Sequence, residues 1–421
     1  MSIIKDSAWN IAAIVIPTLV ALPVLGMLAR MLDVEPFGIF TLIFAILGYA
    51  SVFDMGLSRA LVRSISINRN SSVDIKEYLF TSSITVISIG CIVSLAIFQF
   101  KANIASLLNV TGFIYSDVIN CLLWVSFVVP FLLLNIVWQS YLEGLERFKE
   151  LSILKVATSI LLSVMPLLFI FIKNTLVFAV LGLVFARLIS FLVFYLYAFR
   201  ELKGYSHYQF FNKVKLEELF RFGSWLTISN IISPMMVYFD RFVLSSMVGA
   251  SNVALYTAPS EIVSKLLMVP SAISKTLFPK ISNRLDSGVV YKVMVFLLLI
   301  VFFMILPFFI YSEQILTLWL GSGYEAASIT LRILLVGFIF NSLAQVPYTY
   351  IQAKGFSNIT AKIHLFEVIP YFMLLNLLVD LYSFNGAALA WTLRVFIDFL
   401  VLTYFFLRLN IMLDTKAKLD E

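Results

Sequence analysis

The segment Trp225–Ser246 reads WLTISNIISPMMVYFDRFVLSS and decides the fold class of the chain. It is long enough to cross a bilayer, because a spanning helix needs about 20 mostly apolar residues at a rise of roughly 1.5 Å each. Yet Asp240 and Arg241 lie side by side inside it. A charge near the bilayer centre costs about 2.5 to 3.5 kcal/mol on insertion scales. We therefore expect these two adjacent charges to have a functional role.

The rest of the chain is as apolar as this segment. Hydrophobic residues make up 61% and charged residues 13% of its 421 residues, whereas about 25% of a soluble domain is charged. The composition predicts an integral membrane protein, and no polar interval is long enough for a globular domain. Cys91 and Cys121 lie in apolar runs without CxxC or CxxH spacing, so we predict no metal site and no disulfide.

Twelve apolar runs are long enough to be spans, at residues 9–30, 37–57, 79–100, 118–140, 152–172, 175–199, 222–247, 253–276, 293–312, 328–350, 363–380 and 384–407. An even number places both termini on one side, and the distribution of Lys and Arg decides which side. The side of the termini carries 22 of these residues and the opposite side carries 4. We therefore predict that both termini are cytoplasmic. The net charge of +6 follows from this topology, and no nucleic-acid partner is expected.

Weak self-similarity relates spans that are six apart. An offset of 211 places Gly112 on Gly323, and an offset of 207 places Arg187 on Arg394. Apolar helices also resemble one another by composition, which is the alternative explanation. Because six spans restore the starting side, a true duplication gives parallel repeats, as in transporters with a substrate site between the repeats.

We accordingly predict an all-α integral membrane protein with twelve transmembrane helices in two six-helix lobes around a central cavity. The predicted parts are an N-terminal lobe at 1–200, a cytoplasmic amphipathic linker at 201–221, a C-terminal lobe at 222–408 and a cytoplasmic tail at 409–421. Within the linker, FNKVKLEELFRFG alternates apolar and charged residues, which is typical of a helix in the membrane interface.

Charged residues inside the spans are the first candidates for a functional site. Adjacent side chains point about 100° apart on a helix, so Asp240 and Arg241 cannot pair face to face, and at least one must meet another helix or water. Glu261 and Lys265 are four residues apart and can pair on their own helix. A local ion pair that only lowers the cost of insertion is the alternative to a functional role.

Four further positions belong to this set. Arg394 and Asp398 are also four residues apart. Arg187 has no acidic residue within four positions and lies 13 residues before Arg200, so we expect it to line a watery cavity or to meet another helix. Asp54 ends the second span, where ordinary flanking charge is the alternative to a role in pairing or ion coupling.

Signals of enzymatic activity are weak. The two histidines, His207 and His364, lie in the linker and at a span entrance, which argues against a histidine-dependent membrane acyltransferase. The first outer loop is only MLDVEPFG, whereas lipid-linked glycosyltransferases and polysaccharide polymerases carry large outer loops. We predict a protein that is not an enzyme, with no catalytic residue, metal or cofactor.

Four stretches carry a resemblance to a known family. They are WLTISNIISPMMVYFDRFVLSSMVGASNVALYTAPSEIVSKLLMVPSAISKTLFPKIS, FDMGLSRALVR, LARMLDVEPFGIF and LTLWLGSGYEAASITLRIL. In these stretches the chain resembles the multidrug/oligosaccharidyl-lipid/polysaccharide exporter superfamily, and within it the Wzx-type O-antigen flippases. The resemblance is specific to the family in the seventh and eighth spans and to the superfamily elsewhere. Peptidoglycan-precursor flippases of the superfamily carry several arginines in the first span, and here only Arg30 is present.

The resemblance implies a cavity that opens alternately to each side of the bacterial inner membrane. The implied cargo is an undecaprenyl-pyrophosphate-linked oligosaccharide, moved from the cytoplasmic to the periplasmic leaflet. Proton or sodium coupling and a polysaccharide polymerase partner are compatible with this function. The alternatives are an ion-coupled drug or cation antiporter of the same superfamily and, third, a membrane transferase of polysaccharide assembly.

The resemblance also suggests roles for the charged residues. Cations in the cavity would contact the pyrophosphate, because the guanidinium fork matches phosphate oxygens, and the candidates are Arg241, Lys265, Arg187 and Arg394. Candidates for ion coupling or for pairing with these cations are Asp54, Asp240, Glu261 and Asp398. Roles can be carried over from the family residue by residue only in the seventh and eighth spans, where the sequence match is closest.

Overall fold

The structure is a computed structural model that describes residues 2–68, 71–110, 112, 114–202, 211–282 and 287–419. The regular structure of this part of the chain is entirely helical. Its first half contains α1 (Ser2–Leu32), α2 (Val34–Ala50), α3 (Leu57–Ile67), α4 (Ser72–Leu107), α5 (Ile114–Gly144), α6 (Phe148–Ile172) and α7 (Leu176–Glu201). Its second half contains α8 (Lys213–Val248), α9 (Ala250–Leu266), α10 (Met268–Ser282), α11 (Ser287–Ile310), α12 (Ser312–Leu320), α13 (Ala327–Ala353) and α14 (Ser357–Leu419).

The long helices are those of a protein that crosses a membrane several times. Among the described residues, eight helices have the length and hydropathy of a span. The last covers 55 residues, Asn358–Met412, which is far more than one crossing needs. Ser383 divides it, with φ 54° and ψ −135°. α14 is therefore two helical segments, and they contain the eleventh and twelfth predicted spans.

The other predicted spans match the helices, with three differences in detail. The eighth span consists of α9 and α10, which meet at Leu267. The short helices α3 and α12 were not predicted, because at 11 and 9 residues each is too short to be a membrane span. The predicted linker helix is helical from Lys213, but it continues into the seventh span as the start of α8 and is not a separate element. Residues 203–210 of the linker lie outside the described residues.

Contacts divide the chain into two compact units. The first is Met1–Phe242 with Gly249–Ser251, and the second is Val243–Val248 with Asn252–Glu421. In the first unit α1 packs on α6, α4 and α7 pack on α5, and α6 packs on α7; in the second α13 packs on α10, α11 and α14. Most of α8 groups with the first unit, and Lys215 in its first turn pairs with Asp74 of α4. The lobe boundaries expected from the sequence stay a prediction.

Small residues allow helices to approach closely within each unit. A Cβ on Gly182 of α7 would lie 2.5 Å from the carbonyl oxygen of Met165 on α6, and a Cβ on Gly337 of α13 would lie 2.5 Å from the ring of Trp391 on α14. Helix association in lipid depends on such packing, because burial of apolar surface gives no driving force there. These glycines therefore fix the distances between neighbouring spans.

The two glycines that the internal repeat relates both have a positive φ angle. Gly112 follows α4 with φ 72°, and Gly323 follows α12 with φ 100°. A residue with a side chain rarely adopts such values, so glycine is favoured at both loops. The equivalence supports the duplication inferred from the sequence.

Candidate functional site in the second unit

Charged side chains meet between the two segments of α14. The Nε atom of Arg394 on the second segment lies 3.7 Å from Oε2 of Glu367 on the first, and these side chains are 16% and 12% exposed. Nδ1 of His364 lies 3.6 Å from the same carboxylate oxygen. Asp398 completes the group, because its carboxylate and the ligand atoms of His364 and Glu367 all lie within 4.8 Å of one another.

The break at Ser383 brings these residues to the same depth. Glu367 lies 16 residues before the break and Asp398 lies 15 residues after it, so the two carboxylates are level in a helical hairpin. Tyr371 and Arg394 lie 12 residues before and 11 after the break, one turn closer to it. The guanidinium carbon of Arg394 is 5.2 Å from the centre of the Tyr371 ring, within cation–π range. The hairpin thus builds two layers, one acidic and one cationic.

The acidic layer has unused capacity to bind a cation or a proton. Both carboxylate oxygens of Glu367 and Oδ1 of Asp398 are buried and accept no hydrogen bond from the described residues. Buried polar atoms in proteins are normally hydrogen-bonded, and an exception calls for an explanation. Two carboxylates and an imidazole nitrogen can hold a proton or coordinate a small cation, and that chemistry would explain why these oxygens accept no hydrogen bond.

A groove adjoins the charged cluster. It encloses about 610 Å³, and the described residues that line it are mostly apolar. Its polar lining residues are Lys362, Glu367, Tyr371 and Arg394. Its apolar wall includes Ile363, Phe366, Leu374, Ile397, Val401 and Phe405. A volume of this size is typical of a small-molecule site.

The candidate residues of the seventh and eighth spans lie elsewhere. Asp240 and Arg241 near the end of α8 are 3% and 7% exposed. An oxygen of the Asp240 carboxylate accepts a hydrogen bond of 2.7 Å from the backbone N–H of Arg241. Glu261 and Lys265 are half-buried on α9. The pairing of Asp240 and Glu261 with the candidate cations stays a prediction.

Two further candidates belong to the first unit. Arg187 is half-buried on α7, three residues before Ser190, whose hydroxyl accepts a hydrogen bond of 3.2 Å from the amide of Asn135. Asp54 is buried and accepts a hydrogen bond of 2.8 Å from the N–H of Gly56. This contact closes the turn before α3, so the position of Asp54 is explained by local structure.

A polar junction joins the start of α8 to the start of α4. Nζ of Lys215 lies 2.9 Å from Oδ1 of Asp74 and 4.5 Å from the ring centre of Tyr78. The side-chain amide of Asn212 donates a hydrogen bond of 2.8 Å to Glu77. Burial lowers the pKa of Lys215, but its hydrogen bonds to Asp74 and Tyr78 outweigh that effect and raise the pKa above its ordinary value. The junction therefore holds a charged lysine.

Sequence reasoning missed part of the charged cluster. Arg394 and Asp398 were candidates, but the ion pair of Arg394 is made with Glu367 on the other segment of α14 and not with Asp398 on its own. Glu367 lies inside the predicted span 363–380, and a carboxylate at that place was a signal that could have identified it. His364 had been treated only as a residue at a span entrance.

Comparisons with known proteins agree with this architecture. Residues 3–284 match the family described as Polysaccharide biosynthesis protein. The chain is 40% identical over 414 residues to a Shigella flexneri protein named "Putative O-antigen transporter", covering 97% of this chain and 99% of that protein. It is 25% identical to the Staphylococcus aureus protein "Capsular polysaccharide biosynthesis protein CapF", covering 73% of this chain and 80% of the relative.

Solved structures show the same fold. A multidrug resistance MATE family transporter of the MOP superfamily, in an inward-facing conformation, has a TM-score of 0.78 at 14% identity, covering 96% of this chain and 99% of the other. The lipid II flippase MurJ, in an inward closed conformation, has a TM-score of 0.78 at 16% identity, covering 97% and 90%. At such identity the likeness concerns the fold, and it confirms the predicted class of twelve transmembrane helices in two six-helix lobes.

These findings also confirm the family resemblance and the prediction that the protein is not an enzyme. The relatives with a named activity are transporters and a flippase. The many apolar helices make it a multi-pass membrane protein. The match over residues 3–284 and the 40% identity over nearly the whole chain show that the protein belongs to the polysaccharide biosynthesis protein family.

Proposed function

We propose that the protein moves undecaprenyl-pyrophosphate-linked O-antigen repeat units from the cytoplasmic to the periplasmic leaflet of the bacterial inner membrane by alternating access. The observation that carries this proposal is the 40% identity, over nearly the full length of both chains, to the protein named as an O-antigen transporter. The fold shared with a lipid II flippase supports a lipid-linked cargo.

Buried cations suit the head of such a cargo. A pyrophosphate brings negative charge into a region of low dielectric, where arginine can meet its oxygens with a fork of donors. Arg394, Arg187 and Arg241 lie in apolar helices and are half-buried or buried, and Lys265 is half-buried. We assign the pyrophosphate contacts to these four cations.

The acidic layer of the second unit suits coupling to an ion. His364, Glu367 and Asp398 converge at the depth of a span, and three of their carboxylate oxygens accept no hydrogen bond from the described residues. Binding of a proton or of sodium there would change the charge that faces Arg394. We propose that this change links the ion gradient to transport of the cargo.

Orientation in the inner membrane follows from the charges of the loops. Lys and Arg concentrate on one side by 22 to 4, which supports the proposal that both termini and the junction of α4 with α8 lie in the cytoplasm. A polysaccharide polymerase is the proposed partner, because flipped repeat units must be consumed on the opposite side.

An ion-coupled drug or cation antiporter is the second candidate function. The observation in its favour is the TM-score of 0.78 to a multidrug transporter, equal to that of the lipid II flippase. Hypersensitivity to drugs after deletion of the gene, with normal surface polysaccharide, would favour this alternative.

The experiment for the proposed function is deletion of the gene followed by analysis of lipid-linked intermediates. We expect single repeat units on undecaprenyl pyrophosphate to accumulate in the cytoplasmic leaflet, together with loss of surface polysaccharide that a plasmid copy restores. Normal surface polysaccharide in a strain without a redundant exporter would exclude the function.

A further inference from the structure

We propose that the groove between the two segments of α14 binds the prenyl chain of the lipid carrier when the cargo is loaded, with the phosphate end of the carrier at Lys362 before the pyrophosphate reaches the four cations assigned above. This inference rests on the proposed function and adds to it a site for the lipid part of the cargo. It depends on the shape of the groove, on its lining and on the arrangement of its charges.

The apolar wall of the groove follows both segments of the hairpin. Phe366, Pro370 and Leu374 repeat every four residues on the first segment, and Ile397, Val401 and Phe405 do so on the second. Residues four apart lie on the same face of a helix. From Lys362 to Leu374 the first segment rises by about 18 Å at roughly 1.5 Å per residue. The lining is thus an elongated apolar strip, which suits a hydrocarbon chain better than a compact polar molecule.

The charges of the groove are separated along its length. Arg394 is matched by Glu367, which lies 3.7 Å away. Lys362 is exposed, lines the groove, and has no carboxylate partner among the described residues. The groove therefore carries one unmatched positive charge at the Lys362 end. A lipid with an anionic head and an apolar tail is complementary to this pattern.

The position of Lys362 favours the carrier over a bulk phospholipid. It lies at the end of the span that the charge distribution places in the cytoplasm, where the proposed cargo is loaded. A pyrophosphate carries more charge than the single phosphodiester of a phospholipid, so it gains more from the unmatched charge of Lys362.

Binding to the purified full-length protein tests the proposal with three probes. They are undecaprenyl pyrophosphate, the uncharged undecaprenol, and dioleoyl phosphatidylglycerol, each measured by native mass spectrometry. Ile397→Trp fills the groove, and we expect it to weaken binding of undecaprenyl pyrophosphate about tenfold. Leu400→Trp is the matched control, because Leu400 is 49% exposed and Ile397 is 50% exposed on the same segment, and it should bind normally.

A second pair of variants tests the charge. Lys362→Gln should weaken binding of undecaprenyl pyrophosphate and leave undecaprenol unchanged, whereas Arg408→Gln, which removes an exposed cation outside the groove lining, should change neither. Equal effects of Lys362→Gln on the charged and uncharged lipids would overturn the placement of the head. So would tighter competition by phosphatidylglycerol than by the pyrophosphate at the same site.

Photo-crosslinking gives a measurement that does not depend on a bulky substitution. Benzoylphenylalanine at Phe366, which lines the groove and is 77% exposed, should crosslink to undecaprenyl pyrophosphate. The same amino acid at Ile369, which is 72% exposed on the same segment, should not. Equal crosslinking at both positions would overturn the groove assignment.

The outcomes separate this inference from the proposed function. If the wild-type protein binds undecaprenyl pyrophosphate and Ile397→Trp binds it equally well, the groove assignment is wrong and the function stands. If the wild-type protein does not bind it and deletion of the gene leaves surface polysaccharide normal, both are wrong.

Discussion

Glu367 and Arg394 connect the two segments of α14 through an ion pair, with Oε2 of the carboxylate 3.7 Å from Nε of the guanidinium. Both side chains are largely buried, so water could solvate neither charge fully if the pair were broken. Removing one member of a buried pair leaves the other uncompensated, which costs about 3 to 5 kcal/mol. The pair is therefore a strong constraint on the hairpin.

This relationship predicts a large loss of stability for Glu367→Gln. We expect a clear drop in the thermal unfolding midpoint of the purified protein, because Arg394 keeps its charge without the carboxylate. The double variant Glu367→Gln with Arg394→Gln should recover part of the loss. Glu313→Gln is the control, since Glu313 is exposed on α12, and it should melt like the wild type. Additive losses in the double variant would contradict the pairing.

The hairpin also shows which structural features could be predicted from the sequence and which could not. Hydropathy predicted the spans, because lipid imposes a length and an apolar composition on every crossing. Pairing between helices was not predictable, because spacing along one helix says nothing about which residue on another helix comes near. Arg394 could be selected as a buried charge, but Glu367 became its partner only through the fold at Ser383.

Gly386 is a second position in the same hairpin where we expect a substitution to impair folding. A Cβ at this position would clash with the carbonyl oxygen of Leu378, and backbone atoms cannot move aside easily. Gly386→Ala should therefore sharply reduce the amount of folded protein in the membrane. Gly355→Ala is the comparison: a Cβ there meets nothing within 4 Å, and only the φ of 89° is unfavourable, at about 1 to 2 kcal/mol. Equal abundance of the two variants would contradict the close approach at Gly386.

The junction of α4 with α8 predicts a modest and pH-independent contribution. Lys215 and Asp74 form a pair of 2.9 Å with side chains 18% and 34% exposed, and a partly exposed pair contributes about 1 kcal/mol or less. Lys215→Met should lower the unfolding midpoint slightly, and Lys213→Met on the exposed first turn should not.

The raised pKa of Lys215 fixes the sign of its pH dependence. A lysine whose pKa is higher in the folded state stabilises that state fully below its ordinary pKa of about 10.4, and the stabilisation is lost only as the pH rises through the folded value. The difference between wild type and Lys215→Met should therefore stay constant from about pH 6 to 9. A difference that disappears within this range would show that another group controls the junction.

Asp54 allows a structural role to be separated from ion coupling. Its carboxylate accepts the N–H of Gly56 in a buried turn, and Asn keeps an oxygen at the same place. Asp54→Asn should thus retain stability and export, whereas Asp54→Ala should lose about 1 to 3 kcal/mol, because a buried N–H is left without its acceptor. Unfolding midpoints and the amount of surface polysaccharide measure the two effects. Loss of export by a stable Asp54→Asn protein would instead indicate an ionic role.

Arg241 gives the sharpest test of a cargo contact outside the groove. Its side chain is 7% exposed, and its backbone N–H donates to the carboxylate of Asp240, a contact that a substitution of the Arg241 side chain keeps. We therefore expect Arg241→Gln to abolish export while the protein reaches the membrane in near-normal amount. Arg241→Lys should restore part of the export, because it keeps the charge but not the fork of donors. Immunoblots of membranes and the surface polysaccharide pattern provide both readouts. If Arg241→Gln exports normally, this residue does not contact the cargo, and if it is lost from the membrane along with Arg241→Lys, its role is structural.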